Sequence, residues 1–355
     1  MTETIRHELD ADGILTLTID LPGQSMNVIS KAFTSDLAAA VEKIRADPRI
    51  TGVVITSGKV SGFMAGADLK GIGAMFADPA GGVGDGGKSK AARLFDSAFA
   101  FNGLLRSLET CGKPVVAAIN GLALGGGLEV CLATHYRVCS DNPKVQLGFP
   151  EVLVGLFPGA GGTQRLPRLM GVQPALLYLL QGKSMSPQEA LGFGVVGELA
   201  PAAELVDRAK AWIKANPKKS VQPWDEKSFR FPGGVGAFNP GFAQTFVAGN
   251  AMTAKQTNHN MNAPIALLSA VYEGTQLPMD AALRVESKYF ARILSDPQAG
   301  NMIRTLFVSK QAAEKGARRP GGVAPMPPKK IAMLGAGLMG AGVAMVAAQA
   351  GIDVV

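Results

Sequence analysis

The stretch that decides the fold runs from Pro114 to Thr163 and holds two glycine-rich turns. Its first part is PVVAAINGLALGGGLEV (114–130), and its second part is GFPEVLVGLFPGAGGT (148–163). The apolar run Val115–Ile119 predicts a buried strand, and the glycines that follow predict a tight turn into a helix. The first turn of a helix has unpaired N–H groups, so this turn can bind an anion.

Two carboxylates, Glu129 and Glu151, lie in this stretch within segments almost free of other charge. Buried acids are costly unless they have partners or a chemical role. Glu129 follows Gly126 by about one helical turn, which would put its carboxylate beside an oxyanion bound at the helix start. The residues alone leave a second interpretation open, in which both acids are capping or ion-paired surface groups and the glycines only allow close packing.

A second small-residue turn, FMAGADL (63–69), follows another predicted strand. An acyl thioester gains negative charge on its carbonyl oxygen when its α-carbon is deprotonated or its β-carbon is attacked, and two preorganised N–H donors stabilise that enolate. Small residues at Ala67 and Gly126 would let a ligand approach the backbone closely. The two turns together therefore predict an enolate-binding site.

The composition favours a folded enzyme with an anionic ligand. The chain has 355 residues, 47% hydrophobic and 18% charged, which predicts one large domain plus a smaller piece and excludes a disordered protein. The net charge of +7 comes from scattered lysines and arginines, so no nucleic-acid binding is expected. No metal site is expected, because the three cysteines lack metal-ligand spacing and the three histidines are isolated. The sequence shows neither a signal peptide nor an apolar span, so we expect a cytoplasmic protein without a membrane span.

Strands and helices alternate along most of the chain, which indicates an α/β fold. Strands are predicted at 14–19, 52–56, 115–119 and 194–197, and helices at 33–44, 94–108, 171–180, 187–193 and 204–215. A glycine-rich surface loop is expected at 78–90, an extended connector at 216–241, and helices at 264–272, 278–294 and 300–315. The proline- and glycine-rich stretch 316–328 predicts a linker.

Three segments, 63–69, 118–129 and 148–168, resemble the signatures of the enoyl-CoA hydratase (crotonase) superfamily. The resemblance covers roughly residues 10–200 and implies a crotonase (ClpP-like) spiral of ββα repeats with C-terminal helices. It implies an oxyanion hole formed by the N–H groups of Ala67 and Gly126, and catalytic acids at Glu129 and Glu151. It also implies that the acyl-CoA thioester contacts Ala65, Gly66, Asp68, Gly125, Pro150, Pro158 and Gly159.

The reaction implied by this resemblance is the addition of water to a 2-enoyl-CoA, which gives a 3-hydroxyacyl-CoA and needs no cofactor, since coenzyme A is part of the substrate. In that reaction Glu129 helps to position and activate the water, and Glu151 delivers the α-proton. The apolar neighbours of Glu151, among them Phe149 and Val152, would raise its pKa and suit it to proton transfer.

The segment KKIAMLGAGLMG (329–340) carries a Gly-x-Gly-x-x-Gly pattern at Gly335, Gly337 and Gly340. It follows an apolar strand and opens a helix, which is the context that a dinucleotide fingerprint requires. It resembles the start of a 3-hydroxyacyl-CoA dehydrogenase domain, an incomplete Rossmann βα unit. NAD is expected only in a longer parent, because the acid that binds the ribose and the dehydrogenase's His–Glu pair are not in this sequence. No oxidation is expected from this fragment.

Over its whole length the chain resembles the multifunctional α-subunits of fatty-acid oxidation complexes, truncated early in their dehydrogenase domain. The expected organisation is a hydratase/isomerase domain over 1–315, a linker over 316–328 and an NAD-binding fragment over 329–355. The resemblance implies isomerisation of 3-enoyl-CoA at the same site, a thiolase β-subunit as partner, and an oligomer. Two alternatives stay open: a thioester hydrolase or pure isomerase of the same fold, and a non-catalytic acyl-CoA-binding module.

Overall fold

The computed structural model describes residues 3–60, 62–68, 89–324 and 326–355. The chain forms two compact units, Met1–Val308 and Ser309–Val355. The domain bounds expected from the sequence, with a linker at 316–328, stay a prediction.

The first unit contains two sheets and a set of helices. The strands are β1 (Ile5–Leu9), β2 (Ile14–Ile19), β3 (Gly52–Ser57), β4 (Gly62–Met64), β5 (Val115–Ile119), β6 (Leu122–Leu124), β7 (Tyr136–Ser140), β8 (Leu147–Gly148), β9 (Ser184–Met185) and β10 (Glu198–Ala200). The larger sheet has the order β1-β2-β3-β5-β7-β10 and is parallel apart from the β1–β2 pair. The smaller sheet has the order β4-β6-β8-β9.

The helices of the first unit are α1 (Lys31–Ala46), α2 (Lys90–Glu109), α3 (Gly126–Leu132), α4 (Gly162–Met170), α5 (Val172–Gln181), α6 (Pro187–Gly192), α7 (Leu205–Ala215), α8 (Pro240–Thr257), α9 (Asn262–Gly274), α10 (Met279–Ser295) and α11 (Pro297–Met302). Short 3-10 turns lie at Pro150–Val154, Ala202–Glu204 and Pro223–Asp225, and a π-helix covers Ile303–Ser309. A strand of each sheet precedes a helix in β5-β6-α3 and again in β7-β8-α4, which is the ββα repeat expected from the sequence.

The larger sheet has an apolar layer on both faces. Val53, Ile55 and Val115 belong to the main core, whereas their neighbours Val54 and Val116 pack with α7 on the other face. Successive side chains of a strand point to opposite faces, so an uninterrupted apolar run such as Val115–Ile119 fits a strand that is covered on both sides. This buried strand delivers the chain to the glycine-rich turn that starts α3.

Two sequence-based predictions differ from the structure in ways that have a local cause. The strand expected at 194–197 lies at β10 instead, because Gly194 has φ +70° and the Val195 and Val196 N–H groups bond to the Ala190 carbonyl. The helix expected at 300–315 is divided into α11, the π-helix and α12 (Lys310–Glu314). Most of the loop expected at 78–90 lies outside the described residues.

Helix α8 is a further difference, since its first residues fall inside the expected connector. Its start carries a recognisable signal, because the Asn239 side chain accepts a hydrogen bond from the Phe242 N–H and Pro240 occupies the first turn. Among the C-terminal helices, α10 packs along α2, and both α9 and α10 contact α4.

The second unit holds a small β-α-β element. The strands β11 (Lys330–Ile331) and β12 (Asp353–Val354) pair in parallel, and α13 (Leu338–Gln349) connects them. Gly335 has φ +101°, and a Cβ on Gly340 would lie 1.9 Å from the Gly335 carbonyl oxygen. Glycine is therefore required at both positions, one for the turn and one for the close approach of the helix.

Candidate active site

The two small-residue turns that the sequence analysis identified meet in the folded chain. A Cβ built on Gly66 would lie 3.3 Å from the backbone nitrogen of Gly126 and 2.9 Å from the Leu124 carbonyl oxygen. Gly66 itself has φ +90° and Gly125 has φ +53°, so both turns need glycine for conformation as well as for space. The turn before Ala67 and the start of α3 thus lie side by side.

The N–H groups of Ala67 and Gly126 both lie at this junction. Gly126 is the first residue of α3, where a backbone N–H has no partner within the helix. Neither N–H donates a hydrogen bond to any of the described residues. Two unpaired donors on adjacent turns match the requirement of an enolate oxygen, and α3 adds the positive end of its dipole.

Glu129 lies in the first turn of α3, and its side chain is held by a second glycine-rich turn. The carboxylate Oε1 accepts hydrogen bonds from the Ala160 N–H and the Gly162 N–H, both at 2.7 Å. Both hydrogen bonds seen within the described residues fall on Oε1, and Oε2 lies on the side of Gly126, where a Cβ would approach it to 3.8 Å. The residue is only 2% exposed. Oε2 is therefore the oxygen that can face a water molecule.

Glu151 reaches the same junction from the 3-10 turn Pro150–Val154. Its Oε1 would lie 2.7 Å from a Cβ on Gly125, which places the carboxyl against the turn that opens α3. Its Oε2 is buried and has no hydrogen-bond partner within the described part of the chain. An unpaired buried carboxyl oxygen is costly, and functional sites are where such groups are kept.

Burial raises the pKa of Glu151 to about 8. The pKa of Glu129 is also raised well above its usual range, first by burial and then by the charges of Glu286 and Glu151. Neighbouring buried acids cannot all be ionised at once, so they share protons. The two backbone N–H donors on Glu129 favour its ionised form, and the pKa of about 8 for Glu151 leaves a proton on that carboxyl at neutral pH.

A third buried acid, Glu286 of α10, was not among the residues chosen from the sequence. Its carboxylate accepts hydrogen bonds from the Gly161 N–H at 2.6 Å and from the Thr163 N–H at 3.1 Å. The signal in the sequence is an acid within the apolar stripe of α10, between Leu283 and Phe290. Its hydrogen-bond donors, Gly161 and Thr163, lie more than a hundred residues earlier in the chain, so the periodicity of α10 could not identify them.

The other residues that the resemblance implied as substrate contacts lie beside Gly66, beside Glu151, or at the start of the turn that binds the Glu129 carboxylate. Ala65 and Asp68 are exposed beside Gly66, and Pro150 immediately precedes Glu151. Pro158 is buried and Gly159 packs closely on the Phe290 ring, so these two begin the turn that holds Glu129. Of the three fingerprint glycines in the second unit, Gly335 lies in the turn before α13, Gly337 is the N-cap of α13 and Gly340 lies in its first turn.

Comparison with known proteins defines the class. Residues 10–223 match the enoyl-CoA hydratase/isomerase family, and the chain belongs to that family. A crystal structure of an enoyl-CoA hydratase from Geobacillus kaustophilus shares 25% identity, covers 89% of this chain and 93% of its own, and aligns with a TM-score of 0.54. Human mitochondrial Δ3-Δ2-enoyl-CoA isomerase, at 21% identity and a TM-score of 0.58, covers 88% of this chain and 100% of its own and shows the same fold. The crotonase-type fold expected from the sequence is confirmed.

A more particular similarity concerns the whole chain. The fatty acid oxidation complex subunit alpha of Shewanella halifaxensis is 38% identical over 336 residues, which is 94% of this chain. The same alignment covers 45% of that subunit, so the chain spans about half the length of this relative. The resemblance to these α-subunits, which the sequence analysis expected over the whole chain, is thereby confirmed. No helix in the described part of the chain is long and apolar enough to cross a membrane.

Proposed function

We propose that the chain hydrates 2-enoyl-CoA thioesters to 3-hydroxyacyl-CoA, without a cofactor beyond the coenzyme A of the substrate. The observation that carries the proposal is the carboxyl of Glu151, whose Oε2 is buried without a hydrogen-bond partner among the described residues and whose Oε1 lies against Gly125, next to the Gly126 N–H. A raised pKa keeps a proton on this carboxyl at neutral pH, as a general acid requires. Membership of the enoyl-CoA hydratase/isomerase family supports the same reaction.

In the proposed reaction the thioester oxygen binds between the Ala67 and Gly126 N–H groups. Glu129 Oε2 takes a proton from water while the water oxygen bonds to C3 of the enoyl group. The C2–C3 π electrons move toward the thioester oxygen, where the two donors stabilise the enolate. C2 then takes the proton of Glu151, and transfer of a proton from Glu129 to Glu151 restores the starting state. The net change is the addition of one water molecule.

The substrate contacts proposed at Ala65, Gly66, Asp68, Gly125, Pro150, Pro158 and Gly159 follow from the same placement. The glycines border the enolate donors directly, which supports close approach of the thioester to the backbone. Pro158 and Gly159 contribute through the turn that carries the Glu129 hydrogen bonds.

A second activity at this site, isomerisation of 3-enoyl-CoA to 2-enoyl-CoA, is supported by the carboxyl of Glu151. Isomerisation needs one carboxyl group that removes a proton from C2 as the carboxylate and returns it to C4 as the acid, while the same N–H donors hold the enolate. Glu151 is not tied to protein donors at Oε2, so it can serve both carbons. No water is consumed, and the product mass distinguishes this reaction from hydration.

The wider context is also proposed. A longer parent of this chain would carry an NAD-dependent 3-hydroxyacyl-CoA dehydrogenase domain, which the glycine conformation before α13 and the similarity to α-subunits support. A thiolase β-subunit as partner, an oligomeric assembly and a cytoplasmic location are proposed with it, and the relative's name, which makes it one subunit of a complex, supports a partner subunit. Three buried free cysteines agree with a reducing compartment.

Product analysis by mass spectrometry tests the proposal. The purified chain is incubated with crotonyl-CoA and with a longer 2-enoyl-CoA, and the masses of the resulting thioesters are then measured. Gain of one water with coenzyme A retained is expected. Release of free coenzyme A would instead indicate a hydrolase, and binding without turnover on either chain length would indicate an acyl-CoA-binding module.

A further inference from the structure

Two carboxylates from different parts of the chain hold the same turn, Gly159–Thr163. The N–H groups of Ala160 and Gly162 donate to Glu129, and the alternate N–H groups of Gly161 and Thr163 donate to Glu286. Gly161, in the middle of these four residues, has the left-handed conformation with φ +96°. A Cβ there would come within 1.7 Å of the Arg165 guanidinium, so this position admits only glycine.

Glu286 is a fully buried group on which only donors converge. Besides the two backbone N–H groups, the Thr163 hydroxyl donates to its Oε2 at 2.5 Å and the Asn102 amide donates to its Oε1 at 3.2 Å. The side chain has 0% exposure. Donors on both oxygens fix the orientation of the carboxylate, and together with the charge of Arg165 they oppose the burial that raises the pKa of Glu286. Asn102 also donates to the Gly159 carbonyl at 3.1 Å, which fastens the beginning of the turn.

We propose that Glu286 is a positioning residue of the active site, because its carboxylate fixes the Gly159–Thr163 turn so that the Ala160 and Gly162 N–H groups aim at Glu129. The inference rests on the proposed hydration and goes beyond it by assigning a role to an acid on α10. Glu286 acts through the turn and through its charge, and it does not need to touch the substrate.

The charge of Glu286 has a second effect on the reacting acids. It raises the pKa of Glu151 and that of Glu129, in each case after burial as the larger cause. Among the described residues, the charged side chains near Glu286 include Arg165 and Arg168 of α4, and Arg165 is paired with Glu109 of α2. A fixed anion beside the two acids therefore helps to keep the proton on Glu151, where delivery to C2 requires it.

The test is the variant Glu286→Gln, which keeps the shape, removes the charge and turns an amide N–H₂ toward a backbone N–H of Gly161 or Thr163, which can only donate. We expect kcat for crotonyl-CoA hydration to fall about tenfold to a hundredfold, because a displaced Glu129 misorients the water. KM should change by less than about threefold, since the thioester donors are untouched. The alkaline limb of the kcat profile should also move to lower pH, because the charge that raises the Glu151 pKa is gone.

Asp280→Asn is the control for Glu286→Gln. It makes the same acid-to-amide change on α10 at a side chain that is 77% exposed, and it should leave kcat and the pH profile unchanged. An active wild-type chain whose Glu286→Gln variant keeps its kcat within about threefold and its pH limb in place would overturn the inference while leaving the hydratase function intact. An inactive wild-type chain would instead refute the proposed function.

The pair Thr163→Val and Thr163→Ser decides the matter if Glu286→Gln does not fold. Valine keeps the shape of threonine but removes the hydroxyl donor to Glu286, whereas serine keeps the donor. We expect about a tenfold loss of kcat for valine and rescue to within about threefold for serine. Equal rates for the two variants would contradict a positioning role.

Discussion

Replacing Glu151 by glutamine removes the proton that the reaction delivers to C2 and changes little else. The Oε2 of Glu151 has no hydrogen-bond partner within the described residues, so the amide breaks no protein contact at that atom. Loss of a general acid costs about 10²–10⁴ in rate. This corresponds to about 3–5 kcal/mol of activation free energy. We therefore expect kcat to fall by that factor while KM stays within about threefold and the thermal midpoint stays near that of the wild type.

The assay is the loss of absorbance of the conjugated thioester as crotonyl-CoA is hydrated, followed over a range of substrate concentrations. Glu8→Gln is the matched control, since it makes the same acid-to-amide change at an exposed residue of β1 and should leave kcat unchanged. A Glu151→Gln variant that folds normally and retains more than about a tenth of the wild-type kcat would refute the assignment of Glu151 as the acid.

Three further results are expected. The value of kcat/KM should decrease about tenfold per pH unit above pH 8, because the pKa of Glu151 is about 8 and only its protonated form donates a proton. A flat profile of kcat/KM between pH 7 and pH 10 would contradict this prediction. Gly125→Ala should lose about a hundredfold in kcat, since its Cβ would lie 2.7 Å from Glu151 Oε1, whereas Gly103→Ala, with open space around its Cβ, should keep full activity. Glu109→Gln should lower the free energy of unfolding in urea by about 3–5 kcal/mol, because it leaves the fully buried Arg165 without its ionised partner. Glu204→Gln, in an exposed pair with Arg208, should have a far smaller effect, and equal effects of the two changes would show that burial of the ion pair is not decisive.

The buried strand and the turn after it were predictable because their signals are local. Val115–Ile119 is an uninterrupted apolar run, and the glycines that follow it are needed for conformation and close approach. The same holds for α6, which was predicted over 187–193: Ser186 and Glu189 form a capping box at its start, and Pro187 occupies the first position. Local residue preferences and the folded conformation agree at these places.

The contribution of α10 to the site was not predictable in the same way. Glu286, Asn102 and Thr163 come from three distant segments, and their meeting depends on how the C-terminal helices pack. The acid in an apolar stripe indicated a buried partner but not which one. The pairing of alternate N–H groups of one turn with two different carboxylates is a tertiary arrangement that no single segment encodes.

The most direct test of the account is hydration of crotonyl-CoA in deuterated water, with the label in the product located by NMR. The account predicts 3-hydroxybutyryl-CoA with deuterium at C2, formed by the wild-type chain and about 10²–10⁴ times more slowly by Glu151→Gln. Incorporation at C2 at the same rate in both proteins would contradict the central claim that Glu151 delivers the proton.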